Sequence, residues 1–187
     1  MYMKPIRYIT LISILFLTFA LVPAERSEAQ WGVGASYESR DEHPNNGFGL
    51  RLERKILQAL PVADLSLRAH ASFFSEEIDS YGDAGDPAEL ESYDFGLAAR
   101  GGVSLGMLSP YVGLGLGSER LEAVREGVQQ GSFENNSLYW NIFTGAEFSL
   151  IPLVKPFVEY RFSKMFDDDE MAYGQNGRWA IGLTLEF

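Results

Sequence analysis

The stretch Val112-Gly-Leu-Gly-Leu-Gly117 decides the fold of this 187-residue chain. Its apolar residues recur at every second position with a glycine after each, which is the period of a β-strand and not of a helix. The same alternation appears in seven other stretches of the chain. In chain order, the eight stretches cover residues 31–38, 47–53, 64–73, 93–104, 112–117, 138–148, 158–163 and 178–187. The sequence therefore predicts an all-β chain of eight strands.

The connections between these stretches alternate in length and composition. Three are short and contain proline, near Pro61, near Pro110 and from Pro152 to Pro156. The other four are mostly longer, polar and acidic, and they lie at roughly 40–46, 75–92, 118–136 and 165–176. We expect an antiparallel up-and-down meander with tight turns at one end and long loops at the other. No proline falls in the interior of a predicted strand, as expected because proline cannot donate to the ladder.

Side-chain size and charge indicate which face of a closed eight-stranded barrel points outward. One face is apolar, with aromatic residues suited to a membrane interface. The other carries many glycines and charges of both signs, which fit a narrow lumen in which the charges can pair. The predicted lumen charge network consists of Arg51, Glu53, Arg68, Asp94, Arg100, Glu147, Glu159 and Arg161. The pattern predicts a transmembrane β-barrel. The alternative is a secreted soluble barrel that binds a small apolar ligand, with the two faces reversed.

The composition excludes several classes of function. The chain has 15 Lys+Arg against 26 Asp+Glu, a net charge of −11, so it lacks the basic surface of a nucleic-acid-binding protein. It has no cysteine, which excludes disulfides and thiol nucleophiles. With only two histidines, His43 and His70, a multi-histidine metal centre is not expected. We therefore predict no cofactor and no metal ligands.

The N-terminal residues have the composition of a secretory signal peptide. Two basic residues precede an apolar run over residues 9–22, which is short for a membrane-spanning helix and ends before Pro23. Small residues lead up to Ala29, after which we place the cleavage site. The predicted division is a signal peptide at 1–29 and a β-barrel domain at 30–187, with an uncleaved N-terminal anchor as the alternative.

The chain ends in Trp179-Ala-Ile-Gly-Leu-Thr-Leu-Glu-Phe187, with apolar residues at every second position before the terminal phenylalanine. This segment resembles the C-terminal signature of bacterial outer-membrane proteins. The stretch Pro156-Phe-Val-Glu-Tyr-Arg-Phe162 is similar to the penultimate strand of small outer-membrane barrels of the OmpA, OmpX and opacity-protein type. The resemblance implies that the barrel assembly machinery reads the terminal segment, through Trp179, Ile181, Leu183, Leu185 and Phe187. It also implies a location in the bacterial outer membrane, with both termini in the periplasm and the long loops outside the cell.

We expect a structural or surface-interaction role through the acidic loops, with outer-membrane lipid and lipopolysaccharide as partners of a monomeric barrel. Charges across so narrow a lumen argue against an efficient diffusion porin. Acidic residues are dense between Ser75 and Ser92 and at 167–170. Such oxygen-rich clusters suit Ca²⁺ or Mg²⁺, but the spacing of an ordered calcium loop is absent, so solvated loops are the preferred interpretation.

A lipid-modifying enzyme is the alternative function. His70 and Ser72 share one face of the third stretch, with acidic residues at 76–77 nearby, and these are the residue types of a serine hydrolase. The pair resembles superficially the His-x-Ser pair of outer-membrane lipid A deacylases. Here, however, both side chains should point into the lumen, where the histidine is expected to bond to neighbours such as Arg68 or Glu53. We therefore predict that the protein is not an enzyme.

Deleting Phe187 tests the terminal signature. The truncated chain should insert into the outer membrane several-fold less efficiently, because the residue that ends the signature is missing. The inserted fraction is measured as the form whose electrophoretic mobility shifts on boiling. Glu186→Gln, which alters a position of opposite parity on the same strand, is the matched control. Insertion of the truncated chain at the level of the control would contradict the assignment.

Overall fold

The computed structural model describes residues 31–60, 63–81, 86–125, 133–149, 153–166 and 174–187. The predicted signal peptide at 1–29 lies outside the described residues and stays a prediction. The described part of the chain contains no helix that is long and apolar enough to cross a membrane.

Eight antiparallel strands form one closed sheet. Each strand pairs with its neighbours in the chain, and the last pairs with the first, so the spatial order follows the chain order. The strands are β1 (Trp31–Arg40), β2 (Asn46–Leu60), β3 (Ala63–Tyr81), β4 (Asp86–Val103), β5 (Leu108–Arg125), β6 (Phe133–Phe148), β7 (Val154–Met165) and β8 (Gln175–Glu186). The predicted all-β, eight-stranded, antiparallel up-and-down barrel is confirmed.

Backbone hydrogen bonds between the two ends of the described chain complete the barrel. The Trp31 N–H donates to the Phe187 carbonyl at 3.0 Å, and the Phe187 N–H donates to the Trp31 carbonyl at 2.9 Å. The pairing continues along both strands to Arg40 opposite Arg178. A closed ring of this kind satisfies the backbone polar groups of its strands without water, which is what a lipid environment requires.

The two faces of the sheet differ in polarity, and the apolar face is outside. Phe48, Leu114 and Phe95 on the outer face expose 69%, 68% and 62% of their surface. On the inner face, Arg68 and Asp94 are 1% and 0% exposed. The predicted orientation of the two faces is confirmed. A barrel with an apolar, ligand-binding interior is ruled out, because the interior is charged.

The turn between β4 and β5 differs from the prediction. The proline pattern places it near Pro110, but the turn covers residues 104–107, with Gly106 at a φ of 74°, and Pro110 lies within β5. The observed strands are longer than the predicted ones, and β5 and β7 therefore include a proline near their starts. The reason for expecting no proline in a strand interior still holds, because β4 pairs with β5 only from Tyr111, so Pro110 faces no ladder partner on that side. Pro156 in β7 likewise lies just outside the pairing with β6.

Four strands extend beyond their neighbours. The sequence predicts long loops over 75–92 and 118–136, but most of these residues belong to β3, β4, β5 and β6. The pairing of β2 with β3 ends at Phe74, and the pairing of β7 with β6 ends at Tyr139. Above Phe74 the four strands form an open sheet. This protruding sheet consists of residues 75–81, 86–91, 122–125 and 133–134.

Candidate functional site in the barrel lumen

Seven charged side chains from five strands meet in the half of the lumen nearer to Trp31 and Phe187. Each is less than a tenth exposed. This lower ionic cluster consists of Arg51, Glu53, Arg68, Arg100, Glu147, Glu159 and Arg161. All seven belong to the predicted lumen charge network, and the structure brings them together. Burying a charge is costly unless it is paired, so their mutual contacts are what allow them to lie there.

Shared partners join the members of the lower ionic cluster into one network. Glu147 accepts hydrogen bonds from Arg51 Nη2 at 2.9 Å and from Arg100 Nη2 at 2.8 Å. Arg68 lies between two anions: its Nε is 2.8 Å from Glu53 Oε1, and its Nη1 donates to Glu159. Because each carboxylate meets more than one guanidinium, the cluster depends on several strands at once.

Aromatic rings and glycines shape the space around these charges. The guanidinium carbon of Arg51 lies 3.4 Å from the ring centre of Phe157, and that of Arg68 lies 4.5 Å from the ring centre of Phe143. Contacts of a cation with the face of a ring are favourable. Gly113 leaves room for Phe143, because a Cβ at that position would lie 2.1 Å from Cζ of the ring. The lumen is therefore filled by side chains as well as charged.

Asp94 lies in a second network higher in the lumen. Arg178 Nη1 donates to Glu38 at 2.9 Å and to the Ser72 hydroxyl at 3.1 Å, and Arg178 Nη2 donates to Asp94. The Tyr139 hydroxyl donates to Asp94 as well. The sequence places Asp94 in one network with the other seven residues, but the structure pairs it with Arg178 instead. Asp94 lies six residues from Arg100 along β4, which is about 20 Å at the rise of a strand.

Arg40 and Glu119 close the top of the lumen. Arg40 Nη1 is 2.5 Å from Glu119 Oε1, and the Ser92 hydroxyl donates to the same oxygen at 2.6 Å. These two residues are absent from the predicted network because both lie in connections predicted to be loops. Glu38 and Arg178 are also absent from it. Both lie on predicted strands at positions that face the lumen. Counting every charged residue on the inward face would therefore have added them to the predicted network.

His70 and Ser72 have separate hydrogen-bond partners. His70 Nε2 is 3.0 Å from the Tyr139 hydroxyl, and the predicted partners Arg68 and Glu53 bond to each other instead. The Ser72 hydroxyl accepts a hydrogen bond from Arg178. Both side chains are buried in the lumen. A nucleophile must contact its base, and no hydrogen bond of the described residues joins these two side chains.

Glu76 does not complete a triad. Its carboxylate accepts a hydrogen bond from the Asn45 N–H at 2.8 Å and lies 2.9 Å from His43 Nδ1, which ties β3 to the connection between β1 and β2. Partial burial acts to raise the pKa of Glu76. The hydrogen bonds from His43 and Asn45 outweigh that effect, so the pKa lies below its ordinary value.

The described residues contain no group of three or more histidine, aspartate or glutamate side chains placed to hold a metal ion. Asp83 and the acidic residues 167–170, which the sequence offers as oxygen ligands, lie outside the described residues.

The residues expected to form the assembly signal lie in one row on the outer face at the end of the chain. Each is more than half exposed. They are Trp179, Ile181, Leu183, Leu185 and Phe187. Their side chains point away from the lumen, so none of them contributes to the ionic networks.

The fold is similar to that of several solved outer-membrane barrels. Neisserial surface protein A superposes with a TM-score of 0.60 at 15% identity, over 87% of this chain and 100% of that one. A major outer membrane protein from Thermus thermophilus gives 0.59 at 13% identity, over 85% and 99%. Ail, the attachment invasion locus protein of Yersinia pestis, gives 0.53 at 18% identity, over 87% and 100%. At such low identities the likeness concerns the fold alone.

The chain thus has the closed eight-stranded barrel fold found in bacterial outer-membrane proteins, and the resemblance read from its last two strands is confirmed at the level of the fold. No protein-family model matches the sequence, and the search of curated proteins returned no match.

Glu159→Gln tests whether the lower ionic cluster holds the barrel together. The Glu159 carboxylate meets Arg68, Arg161 and the Tyr111 hydroxyl. Neutralising it leaves buried cations without their counter-charge, so the free energy of unfolding should fall by about 3–5 kcal/mol. Urea unfolding of the refolded barrel in phospholipid vesicles measures this change. The partly exposed Glu122, which pairs with Arg120, is the control, and Glu122→Gln should cost under about 1 kcal/mol. Equal losses in the two variants would contradict a central role for the cluster.

Proposed function

We propose that the protein is a bacterial outer-membrane barrel with a structural or surface-interaction role, and that it does not act as an efficient diffusion porin. The observation that carries the proposal is the combination of an apolar outer face with a lumen filled by paired charges and rings. The outer face suits hydrocarbon, and the crowded lumen leaves little room for a solute.

The proposed orientation places both termini in the periplasm and the protruding sheet outside the cell. Trp31 and Phe187, the two ends of the described part of the chain, lie at the same end of the barrel as the short turn at residues 104–107, and the extended strands lie at the other end. Trp179, Ile181, Leu183, Leu185 and Phe187 are proposed to be read by the barrel assembly machinery, which their resemblance to the terminal signature supports. A monomer is proposed because the closed ring leaves no strand edge to pair within the membrane.

The surface offered to partners is then the protruding sheet, where the sequence predicts loops. It is strongly acidic. By sequence, its segments contain the acidic residues Glu76, Glu77, Asp79, Asp86, Glu89, Glu91, Glu122 and Glu134 and the basic residue Arg125. Ail has been crystallised with the heparin analogue sucrose octasulfate. Such a polyanion would be repelled by this acidic sheet, so a neutral or basic partner fits the charge better.

An enzymatic role is not part of the proposal. The separate partners of His70 and Ser72, and their position in the lumen, argue against the lipid A deacylase alternative. Outer-membrane lipid and lipopolysaccharide are proposed as partners of the apolar outer face, which their acyl chains contact, and not as substrates.

A vesicle-swelling assay tests the proposed absence of porin activity. Phospholipid vesicles that contain the folded barrel should swell in isotonic sugar solutions no faster than protein-free vesicles, because the lower ionic cluster and the Arg40–Glu119 pair close the lumen. Vesicles with a wide porin are the positive control. Rapid swelling that increases with the amount of folded barrel would contradict the proposal.

A further inference from the structure

A recess of about 360 Å³ opens on the outer face of the barrel at the base of the protruding sheet. Three neighbouring strands, β4, β5 and β6, form its wall. The lining residues are Tyr93, Phe95, Ser118, Arg120, Glu122 and Asn136. The recess is on the opposite side of the sheet from the charged lumen, and it is separate from both ionic networks.

The strand register arranges the residues around the recess in rows of graded polarity. Leu97, Leu116 and Trp140 lie side by side in the row below it, and this row is apolar. In the uppermost row of the recess, Glu91 lies opposite the lining residue Glu122. Polarity therefore changes from apolar to acidic over four rows. In a membrane-embedded barrel this change marks the level of the lipid headgroups.

The charged side chains described at the recess are one basic and two acidic, so their net charge is negative. Arg120 Nε is 2.6 Å from Glu122 Oε1, and the Tyr93 hydroxyl donates to Glu91 at 2.9 Å. The single guanidinium thus faces a carboxylate, with a second carboxylate next to it. A phosphate or sulfate group would be repelled, whereas an uncharged group rich in hydroxyls could bond to both the guanidinium and the carboxylates.

The remaining lining residues provide hydrogen-bonding groups and flat apolar surface, both of which an uncharged sugar ring needs in order to bind. The Ser118 hydroxyl is 2.6 Å from Asn136 Oδ1, so a hydroxyl and an amide lie together at an exposed position. The rings of Tyr93 and Phe95 add flat apolar surface beside these polar groups, and Phe95 is 62% exposed. Pockets that combine aromatic walls with a few convergent polar groups fix the orientation of an amphipathic ligand.

We propose that this recess binds the uncharged sugar headgroup of a membrane lipid. The aromatic rings contact the apolar face of the sugar, and Ser118, Arg120 and Asn136 bond to its hydroxyls. The acyl chains then extend over Leu116 along the apolar outer face. The inference rests on the membrane orientation given under Proposed function, and it adds a lipid class that this orientation alone does not specify.

An NMR titration of the full folded barrel in phosphocholine micelles tests the site. The probe is a short-chain diacylglycerol with one glucose headgroup, and the matched anionic probe is phosphatidylglycerol of the same chain length. The glucolipid should cause saturable shifts of the amide signals of residues 93–95, 118–122 and 136. The double variant Ser118→Ala/Asn136→Ala should bind it about tenfold more weakly, the effect of losing two neutral hydrogen bonds.

Asn46→Ala is the matched control. Asn46 lies on the other side of the barrel, where it accepts a hydrogen bond from Tyr37, and Tyr37 contacts the ring of Phe48. Like the recess, this position combines an amide bonded to a hydroxyl with neighbouring aromatic rings, but its residues do not line the recess. The affinity for the glucolipid should therefore stay unchanged. Equal weakening by the control and the double variant would overturn the proposal. Equal or tighter binding of phosphatidylglycerol by the wild-type barrel would also overturn it, without reliance on any variant.

The same spectra separate this proposal from the one on which it rests. Dispersed β-sheet amide signals show that the barrel is folded in the micelle. Absence of glucolipid shifts in such a sample overturns the recess as a lipid site and leaves the outer-membrane barrel intact. Failure to obtain a folded barrel in any micelle or bilayer would overturn both.

Discussion

The pairing of charges inside the lumen is the interaction on which the rest of the structure depends. Arg68 on β3 lies between Glu53 on β2 and Glu159 on β7, so one buried guanidinium joins strands that are far apart in the sequence. A buried charge without a partner is strongly destabilising. The register of these strands is therefore constrained, since a shift by one residue would turn the charges toward the apolar exterior.

The outer face of the barrel is apolar, in contrast to the charged lumen. Large apolar side chains such as Leu114 and Ile142 lie side by side on it and are more than half exposed. In water, an exposed apolar surface of this extent would promote aggregation. The two faces together define a molecule suited to hydrocarbon outside and to charge pairing inside. The proposed functional regions are therefore the protruding sheet at one end of the barrel and the recess at the boundary of the apolar outer face.

Much of this architecture could be predicted from the sequence because period-two alternation survives wherever one face meets lipid and the other meets the lumen. The pattern from Val112 to Gly117 is an example. It fails above Phe74, because the residues of the protruding sheet need no uniform apolar face, and strand residues there look like loop residues. It also cannot reveal which charges pair: Asp94 and Arg178 are 84 residues apart in the chain, and only the closure of the barrel brings them together. Glu119 and Arg40 lie inside the barrel, but they escaped detection because the alternating stretches recognised in the sequence end at Gly117 and Glu38. The recess was missed because Ser118, Arg120, Glu122 and Asn136 fall in a connection predicted to be a loop.

The contact of the apolar face with lipid is the central claim, and nitroxide accessibility tests it most directly. The chain has no cysteine, so single cysteines can be placed at Leu114, at Ile181 and, in the protruding sheet, at Glu77, and then labelled. With the barrel folded in phospholipid vesicles, the labels at Leu114 and Ile181 should collide more often with oxygen, which concentrates in lipid, than with a water-soluble nickel chelate. The label at Glu77 should show the opposite preference. Nickel accessibility at Leu114 and Ile181 equal to that at Glu77 would contradict the account.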